Sequence, residues 1–233
     1  MSSQGIEPER AVLARATPHW PRLRGIEPES PYDDQVEALP LIFTAGWASG
    51  VNAYAVVFLL GIFGVTGLSD DVPEALQRTD VLIAAAVLFL IEAVADKIPY
   101  LDSFWDAVHT IVRPASGAVV AALLAGQDGS LPQLAAGAVG GTTALVSHLV
   151  KAGTRMAINT SPEPASNIVM SVAEDTTVAG IITLAIFHPI AAAACAGILL
   201  LIGVLLVALL ASRIRRYLVR RRQRRAARQA TTA

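Results

Sequence analysis

Long apolar runs broken by short polar stretches dominate the chain from residue 39 to residue 211. Six of them can be read as membrane spans, for which about 20 mostly apolar residues suffice. They lie at 39–66, 81–95, 104–124, 131–150, 168–187 and 190–211. None shows the alternation of a barrel strand, and a backbone in lipid must satisfy its own hydrogen bonds, so each is expected as a helix. The runs differ in quality. The first is interrupted by Gly46, Gly50 and Asn52, the fifth carries Glu174 and Asp175 inside it, and the last is uninterrupted. The fold class expected is an all-α integral membrane protein of about six transmembrane helices.

Charge placement then orients the spans. The 233 residues are 54% hydrophobic and only 16% charged, with a mean hydropathy of +0.54, whereas an ordinary soluble domain is about 25% charged. Nine of the 18 Lys and Arg are arginines between residues 213 and 228, and seven of the 19 acids fall in the first 37 residues. With six spans and the basic end inside, both termini are cytoplasmic. Seventeen Lys and Arg then lie on the cytoplasmic side and only Arg78 lies outside, where the loops carry Asp70, Asp71, Glu74, Asp80 and Asp128. A wrong span count would mix the two sides, so this asymmetry supports the count.

Three regions follow. Residues 1–38 are polar and rich in Pro and Glu, and read as a disordered cytoplasmic arm with no secretory signal. Residues 39–212 form the polytopic domain, and 213–233 an Arg-rich cytoplasmic tail. Directly after a span, such a tail anchors topology against anionic lipid, at about 1 kcal/mol per basic residue, and is not read as a nucleic-acid patch. The lone Cys195 excludes an intrachain disulfide and a cysteine metal cluster.

Two polar clusters carry the candidate chemistry. In the first, Glu92 and Asp96 are one turn apart, and Asp102, Asp106, His109 and Arg113 are spaced to share a helix face. In the second, His148, Lys151, Arg155 and Asn159 share a face, a Ser-Pro-Glu-Pro stretch at 161–164 breaks the helix, and Asn167, Ser171 and Glu174 form another stripe beside Asp175. Under the six-span topology both clusters face the cytoplasm, and they are expected to meet in one polar chamber. Acids and bases are nearly balanced there, so pairing is expected, because an unpaired charge at mid-bilayer costs at least about 2.5–3.5 kcal/mol. Lys97 and Asp102, near the boundary, read as staples between helix ends. Glu92, Glu174 and Asp175 lie deeper and read as functional. His109 and His148 leave a metal site open.

The first span adds a further signal. Gly46 and Asn52 are matched in spacing by Gly153 and Asn159, each pair preceded by alanine. Glycine-interrupted segments in corresponding halves point to a transporter site on broken helices, here with a 3+3 inverted repeat. Close helix packing through small residues is the competing reading of Gly46 and Gly50.

The strings GWASGVNAY, ADKIPYLDSFWDAVHTIVRP, SHLVKAGTRMAINTSPEPASN and SVAED resemble the bacterial membrane family called domain of unknown function 4126, over roughly 39–211. The resemblance implies a polytopic inner (plasma) membrane protein whose polar motifs are family features, with no activity to carry over. Two better-understood families fit less well. Membrane lipid phosphatases require a histidine where Gly117 and Ala118 follow Arg113-Pro114. Two-halved cation exchangers carry a Glu-x-Gly-Asp-Lys motif, from which Glu92…Asp96-Lys97 departs in spacing and in lacking the glycine.

Three functions compete. The first is a transporter or channel for a small solute or ion, with Glu92, Asp96, Glu174 and Asp175 binding cation or proton and Asn52 and Asn159 lining the path. Asp106, His109, Arg113, His148, Lys151, Arg155 and Asn167 complete this site. The second is an enzyme at the cytoplasmic leaflet acting on a lipid-linked or phosphorylated substrate, with His109 or His148 as acid or base and Arg113, Lys151 and Arg155 on phosphate. It lacks a nucleophile, since Ser147 cannot share a helix face with His148. The third is a scaffold docking a soluble partner. Transport is the expectation, with the lipid bilayer and a small solute as partners, no nucleic acid, no cofactor, and a homo-oligomer left open.

Overall fold

The computed structural model describes residues 31–98, 100–126, 130–159 and 164–231. The arm up to residue 30, the loop acid Asp128 and the Ser-Pro-Glu stretch at 161–163 lie outside the described residues. Among those described, all regular structure is helical: α1 (Pro31–Val65), α2 (Glu74–Gln77), α3 (Thr79–Ala95), α4 (Leu101–Leu124), α5 (Ser130–Ile158), α6 (Pro164–Phe187) and α7 (Pro189–Thr231).

Four segments within these helices are long and apolar enough to cross a membrane: Ala38–Val65, Leu101–Leu124, Ala165–Phe187 and Pro189–Gln223. Helices α3 and α5 are not among the four. The 17 residues of α3 rise only about 25 Å, near the lower limit for a span. Helix α5 has 29 residues, but its last turns carry Ser147, His148, Lys151 and Arg155. Helix α1 starts at Pro31, ahead of its apolar run, and α7 continues without a break from its apolar part into the arginine-rich end.

The interior holds a large set of polar and charged side chains, and the outside is oily. The largest fully buried side chains include Arg113, Arg155, His148, Glu92, Asn52 and Asn167, while Ile83, Leu90, Ile111, Leu131 and Ile190 are each at least 60% exposed. Water would drive the opposite arrangement. In lipid it is the stable one, since apolar side chains lose nothing by facing hydrocarbon and charges must find partners inside.

Helix α1 is the hub. It touches every other helix, and its close approaches are made by small residues. Gly46 faces the backbone of Gly140, where an added Cβ would stand 2.7 Å from the Gly140 Cα. On Gly50 an added Cβ would overlap the Ser147 hydroxyl and the Ala144 carbonyl. Gly117 of α4 is pressed on Ala144 and Gly140 from the other side. Helix α5 is therefore sandwiched between α1 and α4 at backbone-to-backbone distance, the small-residue packing that membrane helices use where hydrophobic burial offers no gain. An apolar cluster around Val56, Leu60, Leu76, Val120, Val178 and Ile182 fills the rest of the bundle.

Candidate functional site at the break in α1

The first local event is a break. Asn52 has φ −151° and ψ 95°, outside the helical range, so α1 is two helices meeting end to end. Several of the backbone groups at the break have side-chain partners. The Asn52 Oδ1 accepts the backbone N–H of Ala55 at 2.9 Å, capping the start of the second half as an N-cap asparagine does. At the end of the first half, Ser147 Oγ donates to the Trp47 carbonyl at 2.6 Å, and Lys151 Nζ donates to the Val51 carbonyl at 3.0 Å. Asn52 Nδ2 reaches across to Asp175 Oδ1 at 3.0 Å. The two halves of α1 are thus held by α5 and α6, which supply what an intact helix would supply itself.

The charged side chains gather against this break in three centres. Arg113, fully buried, pairs with Glu92 Oε1 at 2.7 Å and Asp106 Oδ1 at 2.9 Å, and donates to His148 Nδ1 at 2.8 Å. Lys151 pairs with Asp96 at 2.7 Å, Glu92 at 3.4 Å and Glu174 at 3.5 Å. Arg155 pairs with Glu174 at 2.5 Å, Asp96 at 3.3 Å and Asp102 at 3.7 Å, and donates to the Asp96 carbonyl at 2.6 Å. Because Glu92, Asp96 and Glu174 are each shared between two cations, the centres form one chain: Arg113, Glu92, Lys151, then Asp96 and Glu174, then Arg155.

At the far end of this chain sits Asp102. Asn159 Nδ2 donates to both of its oxygens, at 2.9 and 3.0 Å, and Asn167 Nδ2 donates at 3.2 Å. Asp102 therefore ties the ends of α4, α5 and α6 together. Lys97 stays at the edge, donating to the Ala93 carbonyl at 2.7 Å and to Ser171 Oγ at 3.3 Å.

Both ring nitrogens of each histidine have partners in the protein. Arg113 can only donate, so His148 Nδ1 accepts and its Nε2–H faces Thr110 Oγ1 at 3.2 Å. His109 donates from Nδ1 to the Trp105 carbonyl at 2.8 Å, stacks on the Trp105 ring, and meets the Tyr54 hydroxyl at 2.9 Å through Nε2. Among the described residues no three His, Cys, Asp or Glu side chains are arranged to hold a metal ion.

Counting charge exposes an imbalance. Five carboxylates (Glu92, Asp96, Asp102, Asp106 and Glu174) face three cations, Arg113, Lys151 and Arg155. One oxygen each of Glu92, Asp96 and Asp106 is buried with no hydrogen-bond partner. Beside Lys151 and Glu174 a cavity of about 110 Å³ reaches in between α1, α5, α6 and α7.

All thirteen residues singled out from the sequence lie in or against this network, and the two sequence clusters come together at the break. Their arrangement is tighter than the chamber drawn from spacing alone, since the charges touch one another. Sequence reasoning gave no role to Tyr54, Thr110 or the carbonyls of Trp47 and Val51, and weighed Ser147 only as a nucleophile. Ser147 had a signal in its place one turn before Lys151. The carbonyls had none, because every residue carries one and only the break frees them.

Comparison with known proteins adds a family and no activity. The model of a family described as a domain of unknown function, DUF4126, matches residues 39–209, a stretch that begins at the first apolar run and holds every residue of the network. No curated protein and no solved structure matches the chain. The matched stretch covers the helical bundle with its buried charges, and the chain belongs to the DUF4126 family.

Proposed function

We propose that the chain is a six-span transporter for a small solute or ion, with both termini in the cytoplasm and its site at the break in α1. The two shorter or more polar helices, α3 and α5, are the added spans. The seventeen-to-one split of Lys and Arg supports that count and orientation.

The observation that carries the reading is a helix discontinuity seated on charged side chains inside an apolar bundle. Irregular backbone at membrane depth is tolerated where protein or a water-filled path surrounds it, and transporters use such broken helices to present carbonyls and helix ends to a solute. Asn52, Lys151 and Asp175 sit at the break; Glu92, Asp96, Glu174 and Arg155 form the next layer. Asp106, Arg113 and His148 close one end, and Asn159 and Asn167 the other, through Asp102. His109 joins the site through Tyr54, on the second half of α1. An enzymatic reading gains no support from Ser147, whose hydroxyl is spent on the Trp47 carbonyl.

The test is flux into proteoliposomes under gradients of Na⁺, K⁺, protons and small anions, with wild type, Glu92→Gln and Glu174→Gln. Wild type is expected to pass one of these and both variants to lose at least tenfold. Flux unchanged in both variants removes the carboxylates from the path, and no flux of any kind removes transport of these ions.

A further inference from the structure

We propose that the Lys151 ammonium occupies a seat built for a monovalent cation, and that the solute of this site is a small monovalent cation that takes the ammonium's place. The inference deepens the transport reading by naming the class of solute, and its test is independent of flux.

The seat is defined by four oxygens around Lys151 Nζ. They are the Val51 carbonyl at 3.0 Å, Asp96 Oδ2 at 2.7 Å, Glu92 Oε1 at 3.4 Å and Glu174 Oε2 at 3.5 Å. They come from α1, from α3 and the residue that caps its end, and from α6, while the ammonium comes from α5. An ammonium has three hydrogens to donate in fixed directions, and it reaches Glu92 Oε1 and Glu174 Oε2 only at 3.4 and 3.5 Å, their short bonds going to Arg113 and Arg155. A spherical cation has no such limit and is held by carbonyl and carboxylate oxygens that replace its hydration shell.

Three further observations point the same way. Glu92 Oε2 and Asp96 Oδ1, on two of the carboxyl groups that hold Lys151, are buried without a partner, and Glu92 and Asp96 are 0% and 2% exposed. The surroundings hold five carboxyl groups against three cationic side chains even with Lys151 in place. There is space beside the seat as well: a 110 Å³ cavity is lined by Lys151 and Glu174 together with Ser147 and Thr154, and is several times the roughly 10–15 Å³ that one water needs.

The width of the seat selects the ion. Oxygens at 2.7–3.5 Å from the centre are too far apart for Mg²⁺, which demands about 2.0–2.1 Å. They suit a singly charged ion of ammonium size. Lysine is a compact point charge on a flexible stem, so it can yield the seat to an arriving cation without moving a helix.

The experiment uses the full chain in detergent or nanodiscs, with thermal unfolding measured in NaCl, KCl, choline chloride and MgCl₂ at constant ionic strength. Wild type should show little difference among them, because a soluble cation must compete with a tethered one. Lys151→Met should melt below wild type in choline and recover roughly 5–10 °C in Na⁺ or K⁺ at about a hundredfold the dissociation constant, with saturation. Equal melting in all salts, recovery only in Mg²⁺, or a Lys151→Met protein that stays unfolded in every salt overturns the assignment. The double variant Lys151→Met/Glu174→Gln removes one charge of each sign and should show the same selectivity, more weakly; salt-indifferent melting there also overturns it. Salt-dependent Lys151→Met with no flux in the transport assay leaves the seat standing and removes transport. The reverse result leaves transport standing without a cation seat.

Discussion

Two arginine–carboxylate pairs in this protein have the same length and opposite consequences. Arg78 and Asp80 meet at 2.7 Å with both side chains 66% exposed, whereas Arg113 and Glu92 meet at 2.7 Å with both fully buried. The exposed pair joins neighbours in sequence at the start of α3. Its main effect is local: the hydrogen bond from Arg78 holds the Asp80 carboxyl below its usual range. The buried pair joins α3 to α4 across 21 positions of chain and is continuous with Lys151, Arg155 and the break in α1. Solvent decides the difference. Water screens the first pair and can replace either partner, while the second has no substitute for a lost charge.

The largest effect expected is therefore from Arg113→Ala. It leaves Glu92 and Asp106 buried without their main partner, and removing one member of a buried pair costs about 3–5 kcal/mol. A loss of folded yield, or a fall in melting temperature of more than about 6 °C, checks it in detergent. If Arg113→Ala melts like wild type, the buried network is no more structural than the exposed pair.

Next comes the packing that brings the network to the break. Gly50→Ala drives a methyl group into Ser147 Oγ and the Ala144 carbonyl, so α1 and α5 must separate. Overpacking of this kind costs about 1–3 kcal/mol. Separation also lengthens the Lys151 and Ser147 bonds to the α1 carbonyls, so flux is expected to fall along with the melting temperature. Stability lost with flux retained would uncouple the break from function.

A smaller change is expected from Asn52→Ala. It removes the cap on Ala55 and the bond to Asp175, with a cap worth about 0.5–2 kcal/mol. Asn52→Asp should retain the cap, yet place a carboxylate against Asp175, and so melt below Asn52→Ala. The order reversed would show that capping matters more than the partner on α6.

The smallest effect belongs to Arg78→Ala. Both groups of the pair are exposed, so no shift in melting temperature is expected at neutral pH. The sign of its pH dependence is still determined. The Asp80 pKa is depressed by Arg78, so whatever the pair contributes is present above the ordinary carboxylate range and is lost as pH falls through the folded value. A midpoint for Arg78→Ala that differs from wild type at pH 7 and not at pH 3 would mean the pair does more than its exposure allows.

The sequence by itself determined the solvent of this protein and the shape of its elements. Apolar runs at 39–66, 104–124, 168–187 and 190–211 are a property of composition along the chain, and each became a helix, although α1 starts earlier, at Pro31, and α7 runs on to Thr231. Helical spacing likewise determined which charges share a face, because α4 and α5 are regular where Asp102, Asp106, His109, Arg113, His148, Lys151 and Arg155 stand. Even the break at Asn52 left a trace, as a polar residue among glycines in an otherwise apolar span.

Tertiary structure alone decided which charge meets which. Helix α5 carries no acid, so Lys151 had to find its partners on other elements; it meets Glu92, Asp96 and Glu174 because α3, α5 and α6 all pack on α1, with α5 at backbone distance through Gly46, Gly50 and Gly140. The Val51 carbonyl completed the set only once α1 had broken beside it. The physical reason is one of range. Helix formation and membrane affinity depend on neighbours within a few turns, and so are written locally in the chain. A coordination shell assembled from α1, α3, α5 and α6 depends on distances of a few tenths of an ångström between residues up to a hundred positions apart.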